Sequence, residues 1–337
     1  MESTKWGILS TAAITTKYVI PALQASANAK LKAIASSNEK AEEIAREYSI
    51  EKHYSDYDAL LDDPEIDVVY IPLPNSLHAE WVKKAAEKGK NILCEKPAAL
   101  TVREVKEMYE VCEKNNVLCL EALMYQFQPQ HERVKQIIQS GEIGEVKLMR
   151  AGMSFMLEQL DGNIRMNKEL GGGSVYDLGC YCIHAVRSMT GSEPATVHAF
   201  ENKHPEYGVD MSAFVSMKME NGMNASFDCS MEMSGTRQFY EIVGTKGTIE
   251  VPKAFVPPED GVGAVRINLD SGIKREENVS GYSYIQGIEY FSGSIVERAD
   301  INRFKQDSVA NMRAVEACLK SIAQKAPVSL NLGGIGV

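Results

Sequence analysis

In the first third of the chain, short apolar runs alternate with amphipathic stretches, and no other feature restricts the fold as much. The runs are Trp6-Gly7-Ile8-Leu9, Leu31-Lys32-Ala33-Ile34-Ala35, Val68-Val69-Tyr70-Ile71, Asn91-Ile92-Leu93-Cys94 and Leu118-Cys119-Leu120. Several are apolar without alternation, the pattern of strands buried on both faces. Between them, Ala41, Ile44, Ala45 and Tyr48 recur at helical spacing behind Asn38, a fitting N-cap. Thr101 and Glu104 form a capping box ahead of a stripe of Val105, Met108, Tyr109 and Cys112. Gly89 suits the C-terminal cap of the helix that follows Ser76. Pro21 interrupts the first helical stretch, so that helix is expected to start late or to kink. Strand and helix alternating at this spacing predict an α/β fold, a doubly wound parallel sheet with right-handed crossovers, over residues 1–122.

After Ala122 the grammar changes. β-rich segments follow one another at 146–156, 196–202, 212–219, 225–231 and 238–243, joined by turn signals such as Asn221-Gly222 and Thr245-Lys246-Gly247. Helical patterns intervene at 174–189, 284–298 and 307–325. Residues 123–337 are therefore expected to form an α+β domain with a large, mostly antiparallel, open-faced sheet. An uncovered apolar sheet face calls for a partner subunit. Pro252 to Gly263 reads as a surface loop.

Charge and composition narrow the partners. Acids outnumber bases 46 to 36, for a net charge of −10, so no nucleic acid is expected. No apolar run approaches the roughly 20 residues that span a bilayer, and the N-terminal text is not a signal peptide. Seven cysteines are scattered without zinc spacing, which points to reduced thiols, a cytoplasmic protein and no metal centre.

In a doubly wound sheet ligands bind beyond the carboxyl ends of the strands. After the first strand the G-x-G-x-x-G positions hold Ser10, Ala12 and Thr15, small residues that still allow close backbone approach to an anion. An ordinary tight turn would carry the same text. The second strand ends in Ala35-Ser36-Ser37-Asn38, without the acid that binds the ribose hydroxyls of NAD. Two hydroxyls and Lys40 tilt the expectation to NADP, with NAD as the alternative. The expected cofactor contacts are Ser10, Thr11, Ala12 and Ile14, then Ser36 and Ser37, then Pro72, Leu73, Asn75 and His78, and finally Glu95 and Lys96. Lys96 ends a buried strand, where an ammonium is desolvated and seeks a partner. On a helix over 174–189, Asp177, Tyr181 and His184 fall at i, i+4 and i+7 on one face. A nearby ammonium lowers a phenol's pKa from near 10, and Lys96 is the candidate. Taken singly, Tyr181 reads better as an amphipathic core tyrosine, His184 as a satisfied, partly buried histidine, and an isolated lysine at a strand end as a surface residue.

Together, Glu95-Lys96-Pro97, Pro74-Asn75-Ser76-Leu77-His78 and Gly172-Gly173 followed by Asp177-Leu178-Gly179-Cys180-Tyr181 resemble the Gfo/Idh/MocA oxidoreductases. That family includes glucose–fructose oxidoreductase and inositol dehydrogenase. Trp6-Gly7-Ile8-Leu9-Ser10, Glu121-Ala122-Leu123-Met124-Tyr125 and Gly244-Thr245-Lys246-Gly247 extend the resemblance over nearly the whole chain. It implies a Rossmann dinucleotide-binding domain over 1–122. Residues 123–337 become a domain for substrate binding and oligomerisation, whose open sheet joins a homodimer or homotetramer. Lys96 looks like the family's catalytic lysine and Asp177 like its helix aspartate. Most members carry histidine four residues after that aspartate. Tyr181 stands there in this chain, as in the dihydrodiol and D-xylose dehydrogenase branch, where the tyrosine is implied as acid/base and NADP as cofactor. Arg150 and Arg165 look like the rim of that branch's active site, and with Tyr125, Phe155 and His184 they are the expected substrate-binding residues.

The expected activity is hydride transfer between a nicotinamide and a carbinol carbon of a sugar, polyol or trans-dihydrodiol, with Tyr181 as acid/base, Lys96 assisting and Asp177 fixing local hydrogen bonds. Two alternatives stay open: an NAD-dependent glycosidase-type hydrolase of the same family, and a non-catalytic nucleotide-sensing regulator.

Overall fold

A computed structural model describes residues 3–330; the last residues of the expected second domain, 331–337, lie outside the described residues. Two compact units are present, Met1–Met124 with Ser283–Val309, and Tyr125–Tyr282 with Ala310–Val337.

The first unit is built on β1 (Thr4–Leu9), β2 (Ala29–Ala35), β3 (Lys52–Tyr54), β4 (Val68–Ile71), β5 (Asn91–Cys94) and β6 (Cys119–Glu121). They form one sheet in the order β3-β2-β1-β4-β5-β6, with every pairing parallel. Strand order reverses between β1 and β4, which creates the crevice where such sheets take ligands. Trp6, Ile8 and the whole of β4 are buried, as runs without alternation require. Five of the six strands were legible. β3 was not, because its three residues, Lys-His-Tyr, are polar and only partly covered at the sheet edge.

The helices α1 (Ile20–Ala25), α2 (Lys40–Glu47), α3 (Tyr57–Leu61), α4 (His78–Glu87) and α5 (Val102–Lys114) cover this sheet. The first does not start late. A π-turn over Thr15–Val19 precedes α1, Ile20 N–H reaches back to Thr15 O, and Pro21 lies in the first turn of α1. The wider turn absorbs the residue that cannot donate. In α2 the N-cap position falls to Glu39, while Asn38 Oδ1 still accepts Lys40 N–H at 3.1 Å. The capping box forms as expected, with Glu104 N–H donating to Thr101 Oγ1 at 3.2 Å, and Gly89 follows α4 with a φ of +71°. Residues 283–309 come after the second unit in sequence yet pack with the first. Phe291 meets the Trp6 ring edge-on at 6.1 Å, and Trp6 Nε1–H donates to Ser292 Oγ and Thr4 Oγ1. A buried indole needs such partners.

The second unit contains α6 (Pro129–Gln139), β7 (Val146–Met156), α7 (Cys180–Thr190), β8 (Pro194–Lys203), β9 (Asp210–Met219), β10 (Asn224–Ser230), β11 (Glu232–Gly244), β12 (Gly247–Val251), β13 (Val262–Leu269), β14 (Lys274–Ser280) and β15 (Val328–Ser329). The helix α8 (Ser283–Glu297) belongs to the first unit, and residues 310–324 of α9 (Asn302–Gln324) to the second. The nine strands run β14-β13-β12-β11-β7-β10-β9-β8-β15, antiparallel except where β7 pairs with β10. Along β9, Ala213, Val215, Met217 and Met219 are buried while Phe214, Ser216 and Lys218 are exposed, the alternation of a sheet covered on one face. Phe227 and Cys229 of β10 lie against Gly179 at the start of α7, so the helices cover that face. The other face exposes Phe200 at 60% and Phe214 at 47%. Among the described residues no helix is long and apolar enough to cross a membrane.

Candidate active site

In the first unit, the ends of β1, β2, β4 and β5 assemble the expected crevice. Ser10 leaves β1 with a φ of +142°, so a serine holds a backbone that normally selects glycine, the first residue of the fingerprint. Its Oγ accepts Ala12 N–H at 3.1 Å, and Thr15 N–H closes the turn on Ala12 O at 2.8 Å. Thr11, Ala12 and Ile14 remain partly open. At the end of β2, Ser36 is buried and donates to Asn38 Oδ1 at 2.9 Å, whereas Ser37, Asn38 and Lys40 are exposed. The conformation of the turn and its open approach fit a dinucleotide.

The segments after β4 and β5 are stapled together. Glu95 N–H continues the β4 ladder by donating to Ile71 O, and buried His78 places Nδ1 and Nε2 each 2.8 Å from a carbonyl, those of Pro97 and Leu73. Burial pulls the His78 pKa down to about 4, and the Lys96 charge adds to that fall. The neutral ring has one N–H, so it donates to one carbonyl at a time. Pro72 and Leu73 line the same turn as buried residues, and Asn75 opens a short 3₁₀ turn. Glu95 accepts the Tyr70 hydroxyl at 2.6 Å, and Glu121 accepts Ala98 N–H at 2.9 Å. These bonds fix the backbone on both sides of Lys96, which stays half-buried at the strand end.

In the second unit a helix over 174–190 carries Asp177, Tyr181 and His184, with a π-turn over Val175–Gly179 at its start. π-turns mark functional sites often enough to draw attention here. Its N-terminus is held by buried Asp210, whose Oδ2 accepts Ser174 Oγ–H and Val175 N–H, each at 2.7 Å. Burial raises the Asp210 carboxyl to about 6 even with these donors opposing the shift. Gly172 and Gly173 ahead of the helix are close-packed. A Cβ on Gly172 would lie 2.4 Å from Arg165 O, and one on Gly173, at φ +113°, would lie 2.0 Å from Asp210 Oδ1.

That close approach delivers Arg165. Its Nε–H donates to Asp177 Oδ2 at 2.6 Å, and its guanidinium lies 5.7 Å from the centre of the Phe155 ring. The Asp177 carboxylate, followed by a smaller effect of Tyr181, raises the Arg165 pKa against the opposing effect of burial. Tyr181 itself sits among rings, 5.9 Å from Tyr125 and 5.8 Å from Phe255. Tyr125 and His184 are both 2% exposed and bonded to each other, Tyr125 Oη to His184 Nδ1 at 2.5 Å. Behind them His131 bonds Tyr240 Oη at 2.8 Å and Ala254 O at 2.9 Å.

The structure thus brings Asp177, Tyr181, Arg165, Phe155, Tyr125 and His184 together. It does not bring Arg150 to them. Arg150 is exposed on the open face of the sheet, where it pairs with Glu241 at 2.6 Å beside Phe214 and Phe239. The reason is the period-2 alternation along β7, which sends Met149 and Ala151 into the core and residue 150 the other way. Phe255 and Asp210 were missed by sequence reasoning. Phe255 lies in the segment read as a surface loop, but Gln238 Oε1 accepts its N–H at 2.8 Å and the ring is buried. A lone aromatic in a proline-rich stretch would have been the only signal.

Residues 4–123 match the oxidoreductase family with an NAD-binding Rossmann fold, GFO/IDH/MocA, and residues 131–250 match a GFO/IDH/MocA C-terminal domain. D-xylose 1-dehydrogenase (NADP(+)) 2 of Haloferax volcanii is 36% identical over 328 residues, 97% of this chain and 99% of the relative. Trans-1,2-dihydrobenzene-1,2-diol dehydrogenase of Xenopus tropicalis is 34% identical over 259 residues, 76% of this chain and 77% of the relative. A 3-ketoreductase from Actinomadura kijaniata, solved with NADP and TDP-benzene, is 25% identical with a TM-score of 0.90, covering 95% of this chain and 98% of that one. Strand order, a fingerprint backbone kept without its glycine, and these matches lead to one conclusion: the chain belongs to the Gfo/Idh/MocA family and is an NAD(P)-binding oxidoreductase.

Proposed function

We propose that the protein is an NADP-dependent dehydrogenase or reductase interconverting a carbinol and a carbonyl on a sugar, polyol or trans-dihydrodiol, with Tyr181 as its acid/base. The observation that carries this reading is the Arg165–Asp177 pair, whose carboxylate lies on the same helix as a phenol enclosed by rings. Nicotinamide, when bound, supplies the two-electron acceptor or donor. The Tyr181 oxygen takes the hydroxyl proton in oxidation and returns it in reduction. Positive charge from Lys96 and Arg165 favours the phenolate form, and Asp177 keeps the guanidinium in place. Tyr125 and His184 back the phenol from within the core, while Phe155, half-buried under Arg165, offers an apolar face to a ring or sugar.

The preference for NADP is supported by exposed Ser37, Asn38 and Lys40 at the end of β2, and by the NADP named with the D-xylose dehydrogenase and the ketoreductase. The substrate class is supported by the D-xylose and dihydrodiol dehydrogenases among the relatives. We further propose a homo-oligomer joined through the open sheet face, and a cytoplasmic setting that suits its buried thiols.

The test incubates the protein with NADP and a panel of aldoses, polyols and trans-dihydrodiols while following the absorbance of reduced cofactor. Tyr181→Phe should lower turnover by a factor of ~10² to 10⁴ with NADP affinity unchanged, and Lys96→Met should flatten the pH profile. Turnover within a few-fold of the parent would remove Tyr181 from the role. Product release without net reduction would instead favour a hydrolase, and silence across the panel a sensor.

A further inference from the structure

Tyr125 is the hub of the buried rings in the second unit. Its ring lies 5.0 Å from His131, 5.2 Å from Phe255, 5.4 Å from His184 and 5.9 Å from Tyr181, the first three edge-on. Tyr181 and Phe255 meet in turn at 5.8 Å, so three rings close a triangle with the Tyr181 phenol at one corner. Tyr125 is 2% exposed and Phe255 4%, whereas Tyr181 is only half-buried.

A buried phenol must place its hydroxyl, and Tyr125 Oη bonds His184 Nδ1 at 2.5 Å. His184 follows Tyr181 by three residues on α7. The helix that carries the Tyr181 phenol thus also supplies the partner that fixes the ring pressed on it. The Phe255 corner is fixed from the other side. His131 places Nε2 2.9 Å from Ala254 O and Nδ1 2.8 Å from Tyr240 Oη. Burial pulls the His131 pKa down to about 3, so its ring is neutral. A carbonyl can only accept, so Nε2–H donates to Ala254 while Nδ1 accepts Tyr240 Oη–H. Gln130 Nε2–H donates to Lys253 O, and Gln238 Oε1 accepts Phe255 N–H, each at 2.8 Å, which ties the segment down on both sides of Ala254.

We propose that Tyr125 and His184 are positioning residues for Tyr181 and do not bind substrate. The hydroxyl–imidazole bond locks the Tyr125 ring, and that ring with Phe255 holds the phenol in the orientation from which it moves the proton. At 2% exposure neither Tyr125 nor His184 has a surface to offer a sugar or diol. The inference rests on the reading of Tyr181 as acid/base, and changes the role of two residues from binding to alignment. A misaligned acid/base loses rate, and a displacement of about 1 Å can cost about 10²-fold.

Steady-state kinetics with NADP and D-xylose test it, or with trans-1,2-dihydrobenzene-1,2-diol where D-xylose is not oxidised. Tyr125→Phe keeps the ring contacts and loses only the hydroxyl. It should lower kcat about 10- to 100-fold and leave both KM values unchanged. In a Tyr181→Phe background the same change should cost nothing further, because the two act through one group. The side-chain amide of His184→Asn reaches the place of Nδ1 and should recover most of the rate. That of His184→Gln reaches the place of Nε2 and should be as slow as Tyr125→Phe. This pair decides the matter if Tyr125→Phe does not fold. A raised substrate KM with kcat unchanged would return both residues to substrate binding and overturn the inference. Full additivity with Tyr181→Phe, or equal rates in the two His184 variants, would overturn it as well. Tyr181→Phe as fast as the parent, or a parent that oxidises neither compound, would overturn the acid/base reading and this inference together.

Discussion

Arg165 shows how much a single side chain can hold. Its Nε–H bond to Asp177 spans 2.6 Å, and the carboxylate side chain keeps only 14% of its surface exposed. Removing one partner leaves the other charged and poorly solvated, a loss of about 1.5–3 kcal/mol for a charged hydrogen bond. Arg165→Met should therefore lower kcat at least tenfold and shift the pH profile of kcat, whereas Arg165→Lys restores charge without the planar fork and recovers only part. Steady-state rates across pH check this, and an unshifted profile would reduce Arg165 to a packing role. Lys96, Asp177 and Tyr181 could be picked out from the sequence because each sits in a short, chemically unusual motif. Asp210 and Phe255 could not, because each works through neighbours 35 or more positions away in the chain, Val175 for Asp210 and Tyr181 for Phe255.

At the scale of elements, the helix over 174–190 depends on a clamp from β9. Asp210 caps the helix from a distant strand, accepting from Ser174 and Val175, and its burial pushes the carboxyl pKa up. Its folded-state pKa of about 6 lies above the ordinary carboxyl value of 3.8. A raised carboxyl contributes stability that is complete below the unfolded pKa and is lost as pH climbs through the folded one. The shift corresponds to about 3 kcal/mol as an upper figure. Asp210→Asn keeps an acceptor for Ser174 and Val175 but cannot titrate. Thermal midpoints from pH 4 to 7 should thus fall more steeply in the parent than in the variant, and parallel curves would refute the assignment. Gly173→Ala should lower the midpoint at every pH, since the added methyl meets Asp210 on a backbone that disfavours any side chain. Helix periodicity and the Thr101 capping box were readable locally because their partners lie within one turn. The start of the helix over 174–190 was readable only as an element, since its cap comes from β9.

For the molecule as a whole, the exposed face of the nine-stranded sheet sets the expectation about assembly. Phe200 and Phe214 stand out on it beside the Arg150–Glu241 pair, and the proposed homo-oligomer would cover these open apolar rings. Sedimentation equilibrium of the parent should show the proposed oligomer and Phe214→Glu should reduce it to monomer without changing the fold; a monomeric parent, or an unchanged mass in the variant, would overturn the assignment of this face. Sequence alone determined the class of each half, because the switch from buried strands alternating with helices to a succession of half-buried strands is a matter of local period, written residue by residue. It also marked the motifs proposed to carry the chemistry. Only the tertiary structure decided that a serine keeps the glycine conformation after β1 and that Gly172 and Gly173 are packed against Arg165 and Asp210. Those outcomes depend on which atoms distant segments bring within a few ångströms, and no periodicity encodes that.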